Sequence, residues 1–311
     1  VLQKFTIAVL SRALLLRGRA TSRFLDIHYK GDSGFWFILI SVSCLIFGCN
    51  SNEQTDRPEA TPPVVQAPNQ LSTPPAESAE KNFAGQIAGR VFFEGHAPAR
   101  KMIHMNQDAA CAAAEGNPAY SEDILLDVGP DSSQISAEKF GLANVFVYVK
   151  AGVPDSLLSF FKRKAGTKAP VILDQRGCRY SPHVFGIQVG QTLKILNSDP
   201  TFHNVHASAQ KNKAFNLAMS KVEKVKTRRF DRAEVMIPIH CNVHPWMSAY
   251  AGVVDHPFYA VTDTTGRYAL PALPPREYVI EAWHEVFGAQ AQTVKITEAE
   301  TKTLDFTFTR R

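Results

Sequence analysis

The chain has 311 residues, 45% of them hydrophobic and 20% charged, with a formal net charge of +5. That is room for two modest domains and enough apolar material for a packed core. No basic stripe interleaved with aromatics runs along it, which argues against a nucleic-acid partner.

Basic side chains are scattered from Lys4 to Lys30, followed by the apolar run Gly34-Phe-Trp-Phe-Ile-Leu-Ile-Ser-Val-Ser-Cys-Leu-Ile-Phe-Gly-Cys49. At roughly 15 residues the run is short for a membrane-spanning helix, which needs about 20. A positive flank, a short apolar core and a small residue before the cut predict a signal peptide over residues 1–49. Its end, Leu45-Ile-Phe-Gly-Cys49, resembles a bacterial lipobox. That resemblance implies export, lipidation of Cys49, and attachment by lipid to the periplasmic side of the envelope. Asn50 after the Cys implies the outer membrane where the cell has one. Residues 50–82 are rich in Pro, Ser, Thr, Glu and Gln and nearly empty of large apolar side chains. Such a stretch cannot bury enough surface to offset its ordering entropy, so a flexible tether is expected.

From Gly85 onward, short alternating or β-branched runs are separated by turn residues. Gln86–Phe93, Ala143–Lys150, Val184–Val189, Gln191–Leu196, Lys221–Lys226 and Glu234–Ile239 all read as strands. Helical patterns are confined to Asn106–Glu115 and Pro154–Phe161. The fold class expected is therefore all-β. The segment 211–232 is locally basic, with Lys221, Lys224, Lys226, Arg228, Arg229 and Arg232. It reads as a solvated strand face or as a docking surface for an acidic redox partner. Beyond residue 257, Tyr259–Thr262, Gly266–Leu270, Glu277–Trp283, Gln292–Ile296 and Thr303–Phe308 form a second strand set, with a hairpin cue at Asp263-Thr-Thr-Gly266. Asp-x-x-Gly-x-Tyr followed by a Pro-rich turn resembles the carboxypeptidase regulatory-like, transthyretin-like β-sandwich. The resemblance implies a fold and no chemistry, and Arg276 stands where the pattern has Gly.

The stretch Ile239-His-Cys-Asn-Val-His-Pro-Trp-Met247 places a thiolate, an imidazole and a thioether at Cys-x-x-His-x-x-Met spacing. Upstream lies Asn197-Ser-Asp-Pro-Thr-Phe-His203-Asn-Val-His206. Two His, one Cys and a weak axial Met are the donor set of a mononuclear blue-copper site. The soft thiolate of Cys241 favours Cu(I) without excluding Cu(II), the imidazoles of His203 and His244 suit both states, and Met247 tunes the potential. Three donors share one inter-strand loop and the fourth comes from a neighbouring strand. Taken singly, the same residues also allow a zinc site lacking a good fourth ligand, a Cys–His nucleophile with no orienting carboxylate nearby in sequence, or a buried structural thiol.

Over residues 180–254 these motifs, with the Gly190-to-Asp199 run before the first His, resemble the cupredoxin family of amicyanin- and plastocyanin-like blue-copper proteins. The resemblance implies a Greek-key cupredoxin β-sandwich over 83–256, including an N-terminal extension, with the smaller sandwich at 257–311. It implies one type 1 copper ion held by His203, Cys241, His244 and Met247. It implies that Asn204 braces the Cys-bearing loop, and that electrons leave through a partly exposed His244 beside an apolar patch of Pro245 and Trp246.

Of five cysteines, Cys44 and Cys49 lie in the signal segment and Cys241 is assigned to the metal. Cys111 and Cys178 remain, and an isolated pair in an exported protein is expected to form a disulfide. His240 beside the ligand Cys, with His206 and His183, has no role fixed by sequence; a second metal at His240 is disfavoured because His-Cys-Asn, not His-Cys-His, stands there. The expectation is a non-enzymatic one-electron carrier whose partners are redox proteins, a cytochrome or a dehydrogenase. The alternative is an envelope copper-binding, delivery or sensing protein.

Overall fold

The structure is a computed structural model that describes residues 85–114, 119–128, 139–222 and 224–310. The signal peptide, Cys49 and the tether expected over 1–82 lie outside these residues. Every element below is a strand except two helices, so the all-β expectation holds.

The chain enters one sandwich, leaves it for another, and returns. Strand β1 (Gln86–Glu94) is followed by an excursion containing β2 (Met102–Ile103), helix α1 (Ala109–Ala112) and β3 (Ala119–Tyr120). Strands β4 (Lys139–Gly141) and β5 (Phe146–Ala151) come next, then helix α2 (Asp155–Ala165). The Cys-x-x-His-x-x-Met sequence lies in a second sandwich. It is built from β6 (Val171–Gln175), β7 (Tyr180–Ser181), β8 (Val184–Gln188), β9 (Leu193–Asn197), β10 (His203–Ala207), β11 (Phe215–Met219), β12 (Val225–Arg228), β13 (Glu234–His240) and β14 (Ser248–Val254). The return is made by β15 (Tyr259–Val261), β16 (Arg267–Ala269), β17 (Arg276–His284), β18 (Gly288–Ile296), β19 (Thr301–Thr303) and β20 (Phe306–Thr309).

In the metal-side sandwich, a sheet ordered β11-β10-β13-β14-β8 faces one ordered β12-β9-β6-β7. Alternation decides the packing. In β9, Leu193, Ile195 and Asn197 turn inward while Lys194 and Leu196 are half-buried. The inward residues join Leu173, Ile187, Val205, Ile237, Ile239 and Ala251 in one core.

The other sandwich corrects the boundary drawn at residue 257. Strand β1 pairs with β16, β19 and β20, and β5 pairs with β15 and β17. Strands on the near side of that boundary therefore complete the C-terminal sandwich, with Ile87, Val91, Phe93, Val147 and Val149 in its core beside Tyr278, Ile280 and Phe306. The physical reason is edge pairing. The strands after residue 257 leave open edges, and β1 and β5 supply the missing hydrogen bonds and apolar faces. The hairpin cue at Asp263 is realised: Asp263 Oδ1 accepts the N–H groups of Thr265 and Arg267, and Gly266 takes φ +79°.

The two sandwiches meet at a glycine pair. Gly186 and Gly252 are register partners on β8 and β14. A Cβ on Gly252 would lie 2.4 Å from the Phe146 ring, and one on Gly186 would lie 2.1 Å from Tyr259. Only glycine lets those two rings of the C-terminal sandwich seat against the metal-side sheet.

Candidate metal centre

Strand β10 opens on His203, and β13 delivers Cys241 one residue past its end. Between Cys241 and Met247 the chain folds on itself: Met247 N–H donates to His244 C=O at 2.9 Å, and Cys241 N–H donates to Met247 C=O at 3.2 Å. The loop is thus closed by its own backbone. His203, Cys241, His244 and Met247 are all buried, and Cys241 is the free cysteine among the described residues.

Nδ1 of His203 lies 2.9 Å from Nδ1 of His244, and Cys241 Sγ lies 3.8 Å from the latter. The three donor atoms fall within 4.8 Å of one another. Both outer ring nitrogens point to carboxylates. His203 Nε2 is 2.9 Å from Asp199 Oδ2, and His244 Nε2 is 3.5 Å from Asp108 Oδ2. Asp199 is held by the N–H groups of Gly177 (2.7 Å) and Cys178 (2.8 Å). A carboxylate on Nε2 keeps the proton there and turns the Nδ1 lone pair inward. Two inward lone pairs at 2.9 Å repel unless a proton or a cation sits between them, so the donor set fits a metal ion. Two further groupings, Asp108–Cys111–His244 and Cys178–Asp199–His203, have their sulfurs in a disulfide and offer no thiolate.

The electrostatics point the same way. Burial pushes the Cys241 thiol up, but the His203 ring and the backbone N–H groups of Asn204, His244 and Val243 outweigh it, and its pKa falls below the ordinary thiol value. Burial pulls His203 down, yet Asp199 and Cys241 lift it to about 8. His244 is lowered, by burial and then by the charge of His203. Asn204 lies between β11 and the Cys241 loop. Its Oδ1 accepts Asn242 N–H at 2.8 Å and lies 3.4 Å from Cys241 Sγ, while its Nδ2 donates to Asn216 at 2.7 Å.

The expected disulfide is formed: Cys111 and Cys178 are bonded, with Cα atoms 5.5 Å apart. The expected exit surface is not. His244 is only 2% exposed; Asp108 and Cys111 of the α1 region cover its edge, with Cys111 Sγ 3.7 Å from Nε2. Pro245 remains exposed, and Trp246 is half-buried with its indole N–H donated to Cys178 C=O at 3.0 Å. Sequence reasoning missed Asp108 and Asp199 as ring partners. Asp199 carried a signal, a carboxylate four residues before a ligand His. Asp108 carried only that of a helix cap, 136 residues before the ring it faces.

His183 bonds Ser248 C=O through Nδ1 at 3.0 Å and Glu285 through Nε2, so it ties the start of β14 to the residue just past β17. His206 and His240 are register partners on β10 and β13, with ring centroids 4.3 Å apart. His206 Nδ1 also meets Asn242 Oδ1 at 3.1 Å.

Residues 251–309 match the carboxypeptidase regulatory-like domain. No curated protein matches the chain. Among solved structures, a Cu-containing nitrite reductase (NirK) from Thermus scotoductus SA-01 is 21% identical over 27% of this chain, with a TM-score of 0.26. The match spans 22% of that enzyme's length. A Cu(I) structure of one amicyanin variant is 24% identical, covering 29% of this chain and 89% of that one, with a TM-score of 0.25. A second Cu(I) amicyanin variant is 21% identical, covering 34% and 97%, also at 0.25.

Proposed function

We propose that this protein is an exported, lipid-anchored type 1 copper protein that carries one electron at a time between redox proteins. The observation supporting it is the convergence of two Nδ1 atoms and one thiolate-prone Sγ within 4.8 Å, buried at one end of a sandwich. A copper ion held there by His203, Cys241 and His244, with Met247 alongside, would supply a one-electron couple.

The chain's own residues supply rigidity. Asp199 orients His203, Asn204 ties the Cys241 loop to β10, and the 241–247 turn is closed by its backbone. A frame that holds the same donor positions in both oxidation states keeps rearrangement small on electron transfer. Burial excludes water from the thiolate. The electron donor and acceptor would be a cytochrome or a dehydrogenase, and Cys49 would carry the lipid.

Two measurements test the reading. Cu(II) added to the purified, metal-free chain is expected to produce an intense thiolate-to-copper visible band and a reversible one-electron couple. A colourless protein that retains only zinc after copper exposure would falsify it. Separately, Cys49→Ala is expected to release the protein from the membrane fraction; retention there would remove the lipid anchor from the proposal.

A further inference from the structure

We propose that Asp108 and the Cys111–Cys178 disulfide make residues 105–112 a built-in cap, which fixes the His244 ring and closes its outer edge to solvent and partners. The ion this ring would bind belongs to the reading above; the cap itself is a property of the chain and can be tested without metal.

Among the described residues, strands β2 and β3 pair only with each other, through Met102 with Tyr120 and Ile103 with Ala119. Side chains from this stretch anchor it to the metal-side sandwich, while Leu125, Leu126 and Asp127 further on join Gly141 to Ala143 by main-chain contacts. Met105, Cys111 and Ala119 sink into the core of the metal-side sandwich. Asp108 divides its two oxygens. Oδ1 accepts the N–H groups of Ala110 (2.8 Å) and Cys111 (3.2 Å), capping α1. Oδ2 accepts the Thr201 hydroxyl at 3.0 Å and faces His244 Nε2 at 3.5 Å.

The disulfide then joins the surroundings of both rings. Cys111 Sγ lies 3.7 Å from His244 Nε2. Cys178 N–H holds Asp199, the partner of His203, and Cys178 C=O receives the Trp246 indole, which lies beside His244 with ring centroids 5.1 Å apart. One cross-link therefore braces both imidazoles from outside. A partner cannot touch the His244 edge while the cap is in place. The apolar side chains still exposed next to ligands in sequence are Phe202 (44%), Val243 (47%) and Pro245.

Asp108→Asn isolates the contact, because Asn caps a helix as well as Asp does but its amide nitrogen cannot accept the Nε2 proton. Cys111→Ala/Cys178→Ala removes the bolt, and Thr201→Val gives a milder third variant should the double variant fail to fold. Full-length, metal-free protein is treated with diethyl pyrocarbonate, and His244 modification is read by mass spectrometry against half-buried His206 as internal reference. Protection of His244 in the unaltered chain, lost in the cysteine variant, is the expected result. In metal-loaded protein, Asp108→Asn should release the ion to a chelator about tenfold to a hundredfold faster. His244 labelling as fast as His206 in the unaltered chain, or unchanged metal release in Asp108→Asn, would overturn the cap. If zinc or cadmium loads but copper gives no colour, the copper reading fails while the cap's own readouts stand.

Discussion

The two sandwiches use buried histidines in opposite ways. In the C-terminal one, His256 meets Val149 C=O through Nε2 at 2.8 Å and accepts Phe258 N–H at Nδ1. His284 accepts the N–H groups of Val286 and Phe287 at Nδ1, while its Nε2 is buried without a hydrogen-bond partner among the described residues, and neither nitrogen faces another metal-donor atom. Burial pushes both below the ordinary histidine value, His284 to about 4, so they stay neutral. In the metal-side sandwich, His203 and His244 satisfy only their outer nitrogens and turn the inner ones on each other. A buried imidazole answered by main chain is packing. One answered by a carboxylate on the far side and by another donor on the near side is poised to bind.

The sharpest way to break that contrast is Cys241→Ala. The visible band after Cu(II) addition should vanish completely while far-UV circular dichroism stays all-β; a surviving band at the same wavelength removes Cys241 from the site. Next in size is the cross-link. Cys111→Ala/Cys178→Ala opens a loop with a sequence separation of 67, and chain entropy alone predicts a loss of about 4 kcal/mol in urea unfolding.

The junction between the sandwiches should respond to pH. Burial pulls the His183 pKa down, but the hydrogen bond and charge of Glu285 outweigh it, leaving a net rise above 6.5. The pair then stabilises the fold fully below that unfolded-state value, and its contribution fades as pH rises through the raised folded value. Glu285→Gln should cost about 2 kcal/mol near the acid end of that window and less above it, measured by urea unfolding across the pH range. An equal cost at every pH would show that His183 is neutral in the fold. The smallest effect expected is that of Met247→Leu, which should keep copper and colour and raise the reduction potential; loss of the metal would show that the thioether holds the ion and does not merely tune it.

Much of the site could be read from local spacing. Cys241, His244 and Met247 lie within seven residues, so one turn brings them together whatever surrounds them. The Cys111–Cys178 pair followed from counting, because the other cysteines had other assignments. The partners of the rings were less legible. Asp199 sits four residues from His203, within reach of a motif, yet its part depends on the N–H groups of Gly177 and Cys178 that hold it. Strand β12 begins at Val225, later than the alternation of Lys221–Lys226 predicts, because its partner β9 offers Leu196 to Leu193 opposite Val225 to Arg228.

The sequence by itself determined the donor chemistry and the β character, since both depend on residue type and on periods of a few positions. Tertiary structure decided what each end of the metal-side sandwich meets. It sent β1 and β5 into the C-terminal sandwich, and it laid α1 over the His244 edge that sequence alone would have left open. Edge pairing and capping act between residues far apart in the chain, and no local pattern encodes which open edge or which ring a distant segment will reach.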